Sequence, residues 1–245
     1  DPFLTRPPLK NLFSSKPQSQ MKLSADKIPH CDYILITHAH YDHLMDTPQI
    51  AKRTCAKVYG DINTCQILQI HSVPQEQIYQ IDYDETFPLG PFTVTVIPAY
   101  HPWIPGYSSG SLKKNLELPL HLSDYRMGDC FSFLIEVEST LLLVWSSTKT
   151  EYALPADVLF LRAVASRHWY KEILEKVKPN LVIPTHWDDA FQPLSEPIRP
   201  FFAPPKLTFP PLQRINLNDF KLKIKQADPV CRVLIPEVFK SYLLI

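Results

Sequence analysis

Apolar residues in this chain come in short runs, each closed by a polar or proline-bearing stretch. Residues 33–36 (Tyr-Ile-Leu-Ile) make a strand-length run that ends in a polar cluster at 37–43. Thr47-Pro48 then offers an N-cap and a first-turn proline for a helix to about Cys55, and 57–60 (Lys-Val-Tyr-Gly) reads as another strand. The alternation is β-α-β. A second helix is predicted over 63–70. The clearest strands are 92–97, which alternates with β-branched residues, and 131–137 with 141–145, a hairpin-like pair separated by Glu138-Ser139-Thr140. A buried strand is expected at 158–161 and an amphipathic helix at 169–178, stopped by Pro179. A strand at 181–183 leads into Thr185-His186. The last strand signals are 220–224, where Phe220, Leu222 and Ile224 alternate with lysines, and 233–235. No repeat and no linker is visible, so residues 1–245 are expected to form a single α/β domain whose sheets are covered by helices.

Two stretches carry no period. Residues 1–30 hold five prolines and read as an extended segment pinned to a surface, and 102–127 reads as a long loop. A loop of that length inside a compact domain is usually functional or mobile.

Composition narrows the class. Twenty-five prolines against five glycines give a chain that turns at prolines and has few left-handed corners. Lysine plus arginine (25) equals aspartate plus glutamate (25). No basic field exists to gather nucleic acid, so none is expected as a partner, and any anionic substrate must be held locally. Five cysteines without Cys-x-x-Cys spacing predict buried thiols rather than a disulfide framework or a thiolate zinc cage. The apolar runs are far too short for a membrane span, and residue 1 is Asp with no charged-then-apolar leader after it. A cytoplasmic protein that is not integral to the membrane is expected.

The chemistry concentrates after the first strand. His38, His40, Asp42 and His43 occupy four of six consecutive positions, and imidazole and carboxylate are the ligands that zinc, iron and manganese accept. A turn fixed by a strand can aim alternate side chains at two adjacent points, so His38 and His40 would grip one ion and Asp42 and His43 a second. His101 and His186 each follow a strand as well. Strand ends converge at one edge of a sheet, which makes His101 a third ligand for the first ion and His186 one for the second. Serine catalysis is unsupported, since neither Ser146 nor Ser147 lies in a Gly-x-Ser-x-Gly elbow, and no glycine-rich phosphate loop is present.

The run Thr37-His38-Ala39-His40-Tyr41-Asp42-His43 resembles the His-x-His-x-Asp-His signature of the metallo-β-lactamase superfamily. Asp1-Pro2-Phe3 resembles the aspartate ending an early strand of that family, His101 its third histidine, and Pro184-Thr185-His186-Trp187-Asp188-Asp189 its last. The resemblance spans nearly the whole chain and implies an αββα sandwich. Within the superfamily, the Asp-Pro-Phe opening and Thr-His-Trp-Asp-Asp look most like the ascorbate-6-phosphate lactonase and N-acyl-phosphatidylethanolamine phospholipase branch. The family's paired opening strands would precede Asp1, so the resemblance further implies a partner segment or a homo-oligomer completing the sheet. Asp1 would support a metal-binding histidine from behind.

The implied activity is metal-dependent hydrolysis by a metal-bound hydroxide, on a phosphodiester or lactone-like ester in a small-molecule or lipid-like substrate. The implied cofactor is one or two divalent ions, zinc first, with manganese or iron as alternatives. Asp42 would orient the hydroxide besides binding metal. His168 is the proton-donor candidate, with His121, Asp188 and Asp189 beside it, and Trp103, Tyr107, Trp169 and Trp187 would line a pocket. One departure stands out: where the family carries a bridging aspartate, this sequence offers Ser147, which predicts weaker binding of the second ion. Asp129 is the nearest upstream carboxylate and the candidate substitute. The competing reading is a degenerate fold of this type kept as a binding or structural module with an incomplete metal site.

Overall fold

The structure, a computed structural model, describes residues 1–10, 30–102, 109–194, 196–203, 213–238 and 240–244. The predicted pocket residues Trp103 and Tyr107, and the middle of the expected 1–30 loop, lie outside the described residues. The chain divides into two compact units. The first takes Asp1–Glu85, Tyr100–Phe131 and Ala190–Glu196, and the second Thr86–Ala99, Ser132–Asp189 and Pro197–Ile245.

The first unit runs β1 (Tyr33–Leu35), α1 (Tyr41–Leu44), α2 (Thr47–Thr54), β2 (Lys57–Gly60), α3 (Ile62–Ile70) and β3 (Ile78–Gln80). Its sheet is parallel, in the order β1-β2-β3, with Ile34 opposite Val58 and Val58 opposite Ile78. These residues, with Ile36, Tyr41, Leu44, Ile67 and Leu68, form one apolar core. Asp61 caps α3 by accepting from Thr64 N at 2.9 Å. At α2 the N-cap is Asp46 and not Thr47. The Asp46 carboxylate does not cap the helix, because it accepts instead from the backbone N–H groups of Leu4 (2.6 Å) and Thr5 (2.8 Å), tying the first residues to the unit. Burial holds that carboxyl above the usual carboxylate range, opposed by its bonds to Thr5. α2 ends on Cys55 in the left-handed region (φ 58), and this corrects one expectation. Cys65, Cys130 and Cys231 are buried thiols, Cys31 is half-buried, and Cys55, turned outward by that cap, is exposed.

In the second unit follow β4 (Thr86–Leu89), β5 (Phe92–Pro98), β6 (Phe131–Val137, beginning on the last residue of a first-unit segment), β7 (Thr140–Trp145), β8 (Val158–Arg162), α4 (Arg167–Val177), β9 (Leu181–Thr185), α5 (Leu217–Ala227) and β10 (Arg232–Val233). They build a seven-stranded sheet in the order β10-β9-β8-β7-β6-β5-β4. β4/β5 and β6/β7 are antiparallel pairs, and β7 through β10 are parallel neighbours. The edge strand β4 carries Pro88, which an edge tolerates because the missing N–H has no inner ladder to serve. α4 starts earlier than its apolar pattern suggests because Ser166 accepts from Trp169 N at 3.1 Å and caps it.

The expected strand at 220–224 is a helix, α5. Asn216 caps it, accepting from Asn218 N and Asp219 N, and Lys223 pairs with Asp219 one turn back at 2.8 Å. Phe220 and Ile224 are buried on one helical face, and Phe220 meets Tyr170 of α4 edge-on at 5.5 Å. Leu222, the middle member of the apparent alternation, is 55% exposed, so the period is helical. The final strand spans Arg232–Val233 and shares only Val233 with the expected 233–235 signal. No helix among the described residues is long and apolar enough to cross a membrane.

Candidate metal centre

The histidine cluster begins where β1 stops. Ala39 and Tyr41 are buried in the first unit's core, which leaves His38 and His40, alternating with them, on the opposite side of the backbone. Three backbone hydrogen bonds hold this stretch: Ile36 N to Tyr59 O (2.9 Å), Phe131 N to Thr37 O (2.7 Å) and Ala39 N to Met127 O (3.1 Å). His40 then starts the single turn α1, its carbonyl accepting from His43 N and Leu44 N. That turn places Asp42 beside His43, with Asp42 Oδ2 3.7 Å from His43 Nε2.

The segment carrying Met127 is itself clamped. Asp61 Oδ2 accepts from Asp129 N at 3.1 Å, and Asn63 Nδ2 donates to Gly110 O and Arg126 O at 2.9 and 3.0 Å. Gly128 between them has φ 65, and a Cβ there would lie 1.9 Å from Asp61 Oδ2. Only glycine fits that corner.

His101 joins His38 and His40. Their ring centroids lie 4.7–4.9 Å apart pairwise, and one ring nitrogen from each falls within 4.8 Å of the others. A tetrahedral zinc with imidazole bonds of about 2.0–2.1 Å needs nitrogens roughly 3.4 Å apart, so small ring rotations would close the triad on one ion.

The tautomers follow from the hydrogen bonds. Thr37 Oγ1 donates its single proton to Asp1 Oδ2 at 2.7 Å, so toward His38 Nδ1 (3.1 Å) and His43 Nδ1 (3.3 Å) it acts as acceptor. Asp1 Oδ2 also faces His43 Nδ1 at 3.1 Å, and Asp1 Oδ1 accepts from Thr37 N at 2.7 Å. His101 Nδ1 donates to Pro102 O at 2.7 Å, since a carbonyl can only accept. In His38, His43 and His101 the proton therefore sits on Nδ1, and Nε2 carries the lone pair a metal requires. Burial holds the His43 imidazole below the usual histidine value, against the pull of Asp42, which keeps it neutral as a ligand must be. The donor chemistry of this cluster thus fits a borderline divalent ion.

His186 is in the second unit, exposed, directly after β9, and its backbone is left-handed (φ 57), an uncommon conformation for a residue other than glycine. His168 is exposed in the first turn of α4. His121 caps a short turn, its N–H donating to Asp124 at 2.9 Å. Asp189 is buried and accepts from Arg199 Nε at 3.0 Å, which makes it a structural ion pair, and Asp188 bridges to Pro200. Ser147 is buried and accepts from Lys149 N at 3.1 Å. Asp129 is exposed and accepts from Tyr83 OH at 3.0 Å. Trp169 donates through Nε1 to Thr148 O at 2.7 Å, and Trp187 packs on the second unit's core. Sequence reasoning missed Thr37 as the hinge of the hydrogen-bonded network, and it missed the Asp61–Asn63–Gly128 clamp. A hydroxyl directly before the first histidine was the available signal for the former.

Comparison with known proteins agrees with this geometry. The family described as "Beta-lactamase superfamily domain" matches residues 1–152, more than half of the chain. A UPF0173 metal-dependent hydrolase of Carboxydothermus hydrogenoformans is 30% identical over 199 residues, covering 77% of this chain and 75% of the relative. One from Polynucleobacter asymbioticus is 27% identical over 213 residues, with 77% and 66% covered. Among solved structures, Igni18, a metallo hydrolase from Ignicoccus hospitalis, superposes with a TM-score of 0.53 at 20% identity, over 84% of this chain and 76% of that one. YhfI of Bacillus subtilis, a metallo-β-lactamase fold protein, gives 0.52 at 15%, over 84% and 75%. The chain belongs to the metallo-β-lactamase superfamily and has its fold. Within that class it is a metal-dependent hydrolase.

Proposed function

We propose that the chain hydrolyses a phosphodiester or lactone-like ester of a small or lipid-like molecule, with zinc as the first-choice ion. The observation that carries this reading is the triad of His38, His40 and His101, with Nδ1 of His38 and His101 already occupied by hydrogen bonds and one nitrogen of each ring within 4.8 Å of the others. These three would hold one ion, and Asp42, His43 and His186 a second. The ion supplies Lewis acidity and a water acidic enough to attack an ester near neutral pH. The protein's own residues do the rest. Asp1 and Thr37 fix the rings, the Asp42 carboxylate orients the attacking water, and His168 is the proposed donor to the leaving group. That the matched family stretch, 1–152, draws on the sequence of both units supports keeping the single-domain reading. The lactonase and phospholipase branch remains our proposal from the Asp-Pro-Phe opening and Thr185-His186-Trp187-Asp188-Asp189.

The test is metal stoichiometry with turnover of bis(p-nitrophenyl) phosphate and of a γ-lactone. His40→Ala is expected to abolish turnover and remove at least one ion per chain, and Ser147→Asp to raise occupancy of the second. Unchanged stoichiometry in both variants would defeat the ligand assignment, and a metal-free wild-type protein with an intact fold would favour a binding module.

A further inference from the structure

Arg162 ends β8 and stands in register with Thr185 of β9, the residue before His186. Its guanidinium carbon lies 5.1 Å from the centre of the Trp169 ring, which is itself anchored by the Nε1 bond to Thr148 O. The side chain is half-buried, its Nε is sealed from solvent with no hydrogen-bond partner, and no carboxylate among the described residues pairs with it. Of the acids on α4, Glu172 is engaged by Thr150 and Lys176, and Glu175 by Lys171. Arg199 of the same unit shows the ordinary arrangement, with its guanidinium on Asp189.

A cation withdrawn from water without a counter-charge is costly, and stacking on one indole returns only part of that cost. Burial does pull the Arg162 guanidinium below its usual value. A planar fork of donors in that state is suited to a carboxylate or phosphate, which it can grip with two parallel bonds. Its place is also informative. The strand ends that carry Ser147, Arg162 and His186 lie along one end of the parallel part of the sheet, where ligands gather in α/β proteins. The first turn of α4, which supplies Trp169, adds the positive end of a helix dipole. In a chain with no net charge, this is the local device an anionic substrate would need.

We infer that Arg162 binds an oxyanion of the substrate, so that the hydrolase takes esters bearing a phosphate or carboxylate group in preference to neutral ones. This rests on the hydrolytic reading above. The test uses metal-loaded wild type, Arg162→Gln and Arg162→Lys. Calorimetric titration with inorganic phosphate and with succinate is expected to show binding weakened about tenfold or more in Arg162→Gln and partly restored in Arg162→Lys, the loss of a charge-assisted pair. The anion whose affinity falls identifies the group recognised. In kinetics, the preference for mono-p-nitrophenyl succinate or a phosphate diester over p-nitrophenyl butyrate should fall by a similar factor. Equal losses on anionic and neutral esters, anion affinity unchanged by Arg162→Gln, or no anion binding by wild type would each overturn the inference. If wild type turns over no ester, the hydrolytic reading fails while the calorimetry still decides for or against Arg162.

Discussion

Thr37 and Asp1 are joined by two hydrogen bonds of 2.7 Å, one from the backbone N–H and one from the hydroxyl, across 36 positions of sequence. The hydroxyl is thereby oriented to receive the Nδ1 protons of His38 and His43. Thr37→Val keeps the shape and removes the acceptor. Supporting bonds of this kind are worth about 10–100-fold in metal affinity. Competitive chelator titration should therefore find the variant's ion held about 10–100-fold more weakly, and the metal-free variant should itself lose about 1–3 kcal/mol in urea unfolding, because the buried groups that met the hydroxyl are left unpaired. Equal affinity would mean the rings are fixed without Thr37.

Gly128→Ala is expected to be among the most damaging small substitutions in the first unit. It requires a side chain at φ 65, about 1–2 kcal/mol by itself, and pushes a methyl onto Asp61. Relieving the clash costs the Asp61 bond to Asp129 N and disturbs the Met127 carbonyl that receives Ala39 N. Urea unfolding should show a loss of about 2 kcal/mol or more. A change within about 0.5 kcal/mol, the scale of an ordinary surface substitution, would show the corner to be pliable.

His71 gives the fold a pH dependence with a definite sign. Burial, and then the Lys52 ammonium, lower its pKa from 6.5 to about 4. The unfolded chain takes up this proton first, so the stabilisation is complete above 6.5 and is lost as pH falls from 6.5 toward 4. Denaturant midpoints measured across that window should fall more steeply for wild type than for His71→Gln. Parallel curves would remove His71 as a source of acid sensitivity.

Much of this was readable in the chain, for reasons that differ by element. His38, His40, Asp42 and His43 were visible because ligand types are dense immediately after an apolar strand, whose end fixes them in space. His101 could be proposed for the same reason, since it follows β5. Three contributions stayed hidden because they depend on contacts between distant segments. The Thr37 hydroxyl set between Asp1 and the two histidines, Asp61 on the Gly128 corner, and the guanidinium of Arg162 on Trp169 leave no local period. α5 was misread for a local reason. Lysines between Phe220, Leu222 and Ile224 imitate a strand over five residues, and only the burial of every third or fourth position, with Leu222 outward, reveals the helix. β4 was missed because Pro88 argues against a strand unless that strand is known to be an edge.

The alternation of Ala39 and Tyr41 with His38 and His40 also bears on how this protein can change over time. Substitutions at the intervening small and aromatic positions alter only how tightly the oily side fills. Inserting or deleting one amino acid between Ile36 and His40 would put the imidazoles out of step with the backbone bonds from Phe131 N to Thr37 O and from Ala39 N to Met127 O that seat them. Descendants of this chain can thus vary the letters of that stretch while its length stays frozen.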